Sequence, residues 1–220
     1  MPETLLRLVV LVLPVALVPL LLRPWPGRSP ATALLRTAAA GLLGIVIALV
    51  LLEIRRRLIP TGFASASPEV HALVAAFSEE AAKLAAFLVV FRPRSNDGTT
   101  GTSAMRPILR TAGAAALVFA VIENALYFTV PLSLLWTRAL VVPALHAGCT
   151  VVVVVGVLEL KRTHKAAVAS LFIFGGVAVH AVHNYLMLMS RLPFVIRLTP
   201  ALLVVGAALY LHYRSPNHSI

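Results

Sequence analysis

Charge is scarce in this chain and cysteine almost absent, and both shortages narrow what it can be. Only 12% of the 220 residues are charged while 60% are hydrophobic. That is far more apolar than a soluble domain of this length needs to fill one core, so the solvent for most of the chain is lipid. The single cysteine, Cys149, lies in a valine-rich run, which excludes an intrachain disulfide and any cysteine-based metal cluster. No small-x-small cleavage site follows the first apolar stretch, which ends in Leu-Leu-Arg-Pro, so the stretch is expected to be a retained anchor and not a removed signal. Internal repeats are also missing. The 15 prolines and 12 glycines cluster between apolar runs, where they punctuate helices and do not signal disorder. The net charge of +11 rests mainly on arginines that flank those runs, where they meet phospholipid headgroups; this argues against a nucleic-acid partner.

A spanning helix needs about 20 mostly apolar residues. On that measure the sequence predicts about seven, at 5–22, 33–53, 69–91, 107–130, 133–158, 166–190 and 194–213. Runs this long exclude spanning strands, and lipid admits only helices or closed barrels, so the class is all-α: a polytopic transmembrane helical bundle. Residues 1–220 are expected to form one integral membrane domain. The third helix has a defined start, with Ser67 at the N-cap, Pro68 at the first helical position and Glu69 in the first turn. The stretch 92–106 carries Ser-Asn-Asp-Gly-Thr-Thr-Gly-Thr-Ser and is expected to be a solvated loop.

With seven helices, one side of the membrane holds Arg23, Arg28, Arg36, Arg92, Arg94, Arg106, Arg110, Lys161, Arg162, Lys165 and Arg214. The other holds Arg7, Arg55, Arg56, Arg57, Arg138, Arg191 and Arg197. The bias predicts that the first set is cytoplasmic. Arginine outnumbering lysine, with heavy alanine and valine usage, suits a GC-rich bacterium and its cytoplasmic membrane.

An ionisable side chain at a helix centre costs roughly 2.5–3.5 kcal/mol on insertion scales, so it needs a partner or a purpose. The chain places Glu79, Glu80 and Lys83 in the third helix, Glu123 and Asn124 in the fourth, His146 in the fifth, and His180, His183 and Asn184 in the sixth. At about 1.5 Å per residue, Glu79 and Glu80 lie roughly 15 Å from the end of their helix, Glu123 roughly 10 Å, His146 roughly 20 Å and His180 roughly 15 Å, all measured from one side. Four helices thus agree on a single layer, nearer the extracytoplasmic face by the charge bias. Within the third helix Lys83 falls about 40° from Glu79 and about 60° from Glu80, so it can neutralise one carboxylate while the other stays available. His180 and Asn184 share a face, and Phe119 lies one turn before Glu123.

Glu-Glu-x-x-Lys at 79, 80 and 83, Phe-x-x-x-Glu-Asn at 119, 123 and 124, the lone His146, and His-x-x-x-Asn at 180 and 184 follow one another on successive helices. In this order they resemble the PrsW family of intramembrane proteases, over roughly residues 65–190. A more distant likeness is to the CAAX prenyl protease and Abi superfamily, where a histidine stands in place of Glu123, which makes prenyl-protein processing the less favoured activity. The resemblance implies hydrolysis, by a carboxylate-activated water, of a peptide bond in a membrane-anchored protein such as an anti-sigma factor. By that analogy Glu79 is the general base, with Glu80 and Lys83 a supporting ion pair. Glu123 or His146 orients the water, and His180 and Asn184 donate to the tetrahedral oxyanion. No cofactor is required on this mechanism. A catalytic zinc held by His146, His180 and Glu79 or Glu123 is the alternative that the same residues allow, although no HExxH motif supports it.

Ordinary structural roles compete at each position. Glu79, Glu80 and Lys83 can be an ion pair that fixes packing, Glu123 can bury itself protonated, and each histidine can bond a neighbouring helix. Asn124, Tyr127 and Phe119 are expected to pack, and His183 to be secondary. Two other functions use such a layer: a proton or cation transporter, in which the carboxylates and histidines form a relay, and a catalytically silent scaffold.

Overall fold

In lipid, backbone N–H and C=O groups find no water, so they bond within their own segment. The computed structural model obeys this throughout the residues it describes, which are 3–18, 29–58, 67–91, 105–189 and 192–214. Seven α-helices follow in order: α1 (Glu3–Val12), α2 (Pro30–Leu58), α3 (Pro68–Val90), α4 (Met105–Leu126), α5 (Leu132–Thr163), α6 (Ala166–Leu188) and α7 (Phe194–Arg214). There is no strand among the described residues, and α2, α4, α5, α6 and α7 are each long and apolar enough to cross a membrane. Helix α3 has the length, but Glu79, Glu80 and Lys83 sit in its middle; Glu80 and Lys83 pair with each other and with side chains of neighbouring helices.

The first expected span differs most from its prediction. Helix α1 stops at Val12 and passes into a 3-10 turn over Leu13–Leu17. Pro14 is the cause, since it has no N–H and its ring clashes with the preceding turn. Ten residues rise about 15 Å, half the hydrocarbon thickness, so α1 does not cross the bilayer by itself. The solvated loop expected at 92–106 lies almost wholly outside the described residues, as do Arg23, Arg28, Arg92, Arg94 and Arg191 of the charge-bias argument. At the start of α3, Ser67 occupies the N-cap position with extended backbone angles and Pro68 the first turn, but the serine side chain makes no capping bond.

Helix α5 is the central post. It packs against α4, α6 and α7, and its run from Gly148 to Gly156 is buried on every side. Valines at 151–155 are poor helix formers alone, but packing overrides propensity here. Phe87 of α3, Leu109 and Ala112 of α4 and Val151, Val154 and Val155 of α5 share one cluster; Val141, Leu145, Cys149 and Val152 meet Ala201 and Val204 of α7 in another. Small residues set the close approaches. A Cβ on Gly41 would lie 2.5 Å from Val118, and one on Gly176 would lie 3.0 Å from the Cys149 carbonyl, so only glycine lets α2 meet α4 and α6 meet α5 at these distances. Large apolar side chains such as Leu35, Phe77, Leu171 and Leu203 point outward, as lipid-facing residues should.

Arg7, on α1, reaches the turn between α4 and α5, where its Nη1 donates to the carbonyls of Phe128 at 2.8 Å and Val130 at 2.5 Å while Glu3 pairs with its other edge. Val10 and Leu11 pack beside it against Leu135 and Ala139. Charge-assisted bonds of this kind contribute about 1.5–3 kcal/mol. An Arg7→Ala variant is therefore expected to unfold at a lower temperature in detergent. An unchanged midpoint would show that the turn does not depend on α1.

Candidate active site

The middle of α3 supplies Glu79, Glu80 and Lys83, the last turns of α4 supply Glu123 and Asn124, and α5 and α6 supply His146 and His180. These side chains meet. Glu80 is the hub: its Oε1 accepts from Lys83 Nζ at 2.5 Å and lies 2.8 Å from His180 Nδ1, while its Oε2 accepts from Thr150 Oγ1 at 3.0 Å. Lys83 Nζ also stands 2.6 Å from His146 Nδ1 and 4.9 Å from the Phe119 ring, which lies beside the His146 ring at 5.5 Å. His146 and His180 meet edge to face with centroids 4.8 Å apart.

Glu79 and Glu123 form the other half. Glu79 Oε2 lies 3.4 Å from His180 Nε2, and Glu123 Oε2 lies 2.8 Å from His146 Nε2. The second approach lacks the alignment of a hydrogen bond, for Glu123 Oε2 has no directional partner among the described residues. Exposure divides the cluster. The side chains of Glu80, Lys83, His146 and His180 are at most 3% exposed, whereas Glu79 is 22% and Glu123 18% exposed. Two carboxylates are therefore partly exposed, while both imidazoles and the Glu80–Lys83 pair are buried.

Partners fix the ring tautomers. An ammonium only donates, so His146 Nδ1 accepts from Lys83 and the neutral ring carries its proton on Nε2, towards Glu123. A carboxylate only accepts, so His180 donates Nδ1–H to Glu80, and its Nε2 faces Glu79 at 3.4 Å. A carboxylate behind the far nitrogen is the arrangement that orients metal-ligating histidines. Glu79, His146 and His180 each offer a ligand atom, all within 4.8 Å of one another, and Glu with two His is a donor set that catalytic zinc uses. The 3.4 Å between Glu79 Oε2 and His180 Nε2 is close to the ~3.3 Å edge of a tetrahedron with ligands at about 2.0–2.1 Å. Donor types and this one spacing fit, with one condition: His146 can offer a lone pair through either nitrogen only where Lys83 gives up its Nδ1.

Of the residues predicted from sequence, Glu79, Glu80, Lys83, Glu123, His146 and His180 come together, and Phe119 packs against them. Asn184 is half-buried one turn after His180 and has no hydrogen bond to these groups among the described residues. His183 is buried beside the backbone of Arg197 without a directional bond to either ring nitrogen among the described residues. Asn124 packs as expected and more: its Oδ1 accepts from Arg138 Nε at 3.2 Å and its Nδ2 donates to the Arg138 carbonyl at 3.3 Å.

Sequence reasoning missed Arg138 and Thr150. Arg138 pairs with Glu123 Oε1 at 2.8 Å and lies 3.7 Å over the Tyr127 ring. Both missed residues stand on the stripe 138, 142, 146, 150 of α5, four apart, so a search at that spacing from His146 would have found them.

A family model described as PrsW family intramembrane metalloprotease matches residues 29–212. That match extends well beyond the 65–190 suggested by the motifs, taking in α2 and nearly all of α7 and leaving α1 outside. No curated protein and no solved structure matched the chain. With a match over most of its length and a Glu-His cluster among apolar helices, the chain belongs to the PrsW family and is a multi-pass intramembrane protease.

Proposed function

We propose that the chain hydrolyses a peptide bond in a membrane-anchored protein, of the anti-sigma-factor kind, using water activated by Glu79 near the outer face of a bacterial cytoplasmic membrane. One observation carries the reading: Glu79 and Glu123 come from different helices, are the two partly exposed carboxylates of the cluster, and face two buried imidazoles. Glu79 is not held by Lys83, whose charge goes to Glu80, so it keeps the freedom to take a proton from water and return it to the leaving amine. Glu80 fixes His180 and Lys83 fixes His146, which gives the pocket walls a set orientation before substrate arrives. His146 Nε2–H is a donor for the water or the oxyanion beside Glu123. His180, with Nδ1–H committed to Glu80, donates to the oxyanion through Nε2–H as the imidazolium, and Asn184 is a neutral donor on the same helix. Family membership favours this protease over the transporter and the silent scaffold.

A second reading is favoured by the 3.4 Å spacing of Glu79 and His180. There Glu79, His180 and His146 would hold a zinc ion, which when bound would lower the pKa of water and polarise the scissile carbonyl. Glu123 would then be the carboxylate left to take the proton.

Purified protein in liposomes with a single-span substrate separates the two. Under strong chelation, cleavage that continues with no zinc in the protein assigns the base to Glu79; cleavage that stops and returns with zinc makes Glu79 a ligand. No cleavage of any single-span substrate, under either condition, would contradict both.

A further inference from the structure

We infer that Arg138 is a positioning residue for the hydrolysis, holding Glu123 so that its second oxygen faces His146. The inference rests on the pocket of Glu79 and Glu123 being the hydrolytic site. Glutamate has three rotatable side-chain bonds, and at 18% exposure Glu123 is not confined by packing alone. Arg138 supplies the confinement. Its Nη2 donates to Glu123 Oε1 at 2.8 Å, its Nε donates to Asn124 Oδ1 at 3.2 Å, and its face stacks 3.7 Å over Tyr127. Asn124 Nδ2 returns a bond to the Arg138 carbonyl at 3.3 Å, so backbone and side chain are both tied to the end of α4.

This arrangement divides the two oxygens of Glu123. Oε1 is committed to the guanidinium, and Oε2, buried and without a directional partner among the described residues, is therefore the one that stands 2.8 Å from His146 Nε2. Without Arg138 the carboxylate could rotate, and either oxygen or neither would face His146. Lysine would keep the charge but not the geometry, since a compact ammonium cannot follow the planar fork, bonding Glu123 and Asn124 while lying flat on Tyr127. A competing account is that Arg138 only staples α4 to α5. That account predicts lost stability whose effect on rate does not depend on Glu123.

A double-mutant cycle in proteoliposomes distinguishes them, with cleavage of a single-span substrate read as kcat and KM separately and thermal unfolding followed in parallel. Arg138→Met is expected to lower kcat by about 100-fold, the size of effect that a misplacement of about 1 Å produces, with KM close to wild type. Arg138→Lys, which preserves the charge balance and so the fold, is expected to restore only part of kcat. In a Glu123→Gln background the same Arg138→Met change should cost little more, because the group it positions is already disabled. Losses that multiply in the double variant, or an Arg138→Lys protein with wild-type kcat, would overturn the role given to Arg138. A Glu123→Gln protein with wild-type kcat would instead overturn the placement of Glu123 in the hydrolytic site, and the inference with it.

Discussion

Glu79→Gln is expected to slow peptide hydrolysis by about 10²–10⁴-fold while leaving the bundle folded. The two halves of this expectation come from different features. Rate should fall because glutamine cannot take a proton from water and is a poor ligand, so the variant loses activity whether Glu79 acts as base or as metal ligand. Stability should hold because Glu79 is the least tied member of the cluster. Among the described residues its close polar contact is His180 Nε2 at 3.4 Å, and it forms no hydrogen bond with Lys83. Cleavage of a co-reconstituted single-span protein checks the rate, and detergent unfolding checks the fold. Wild-type cleavage by a folded Glu79→Gln protein would remove Glu79 from the chemistry.

The adjacent carboxylate should behave in the opposite way. Glu80→Ala is expected to destabilise the protein by about 3–5 kcal/mol, because it strands Lys83 as an uncompensated charge inside the bundle. Loss of the carboxylate also deprives His180 Nδ1–H and the Thr150 hydroxyl of their acceptor. Each buried donor left without a partner adds about 1–3 kcal/mol. Low yield of inserted protein and a depressed unfolding midpoint are the expected signs. A Glu80→Gln, Lys83→Met double variant, which removes both charges, should recover much of that midpoint while remaining poorly active, since His180 then loses its anionic anchor. A Glu80→Ala protein as stable as wild type would show that the hub does not carry the load assigned to it. Neighbouring glutamates thus separate into one that reacts and one that supports.

Much of this site could be read from the sequence, for a physical reason. Lipid makes a buried carboxylate or imidazole costly, so Glu79, Glu80, Glu123, His146 and His180 stand out against the apolar runs that contain them, and the helix rise places them at one depth. The same cost argument is blind to Arg138, which lies close enough to a helix end to pass for a headgroup-facing arginine until Glu123 is seen 2.8 Å away. It is blind to Thr150 as well, because a hydroxyl can satisfy itself on the carbonyl four residues back and leaves no energetic signature. Helix α1 was overestimated because hydropathy does not weigh Pro14, which ends the helix inside an apolar run. Partners are out of reach from sequence: that His180 Nδ1 stands 2.8 Å from Glu80 while its Nε2 faces Glu79 is visible only in the structure.

Thiol labelling tests most directly whether water reaches these carboxylates within the bundle. In a Cys149→Ser background, single cysteines would replace Glu79, Glu123 and, as a control, Phe77, which points to lipid from the same helix at 56% exposure. A water-soluble thiol reagent applied to proteoliposomes should modify positions 79 and 123 rapidly and position 77 hardly at all. Equal and slow modification at all three would mean that no aqueous opening exists there, and hydrolysis at Glu79 would have no water to use.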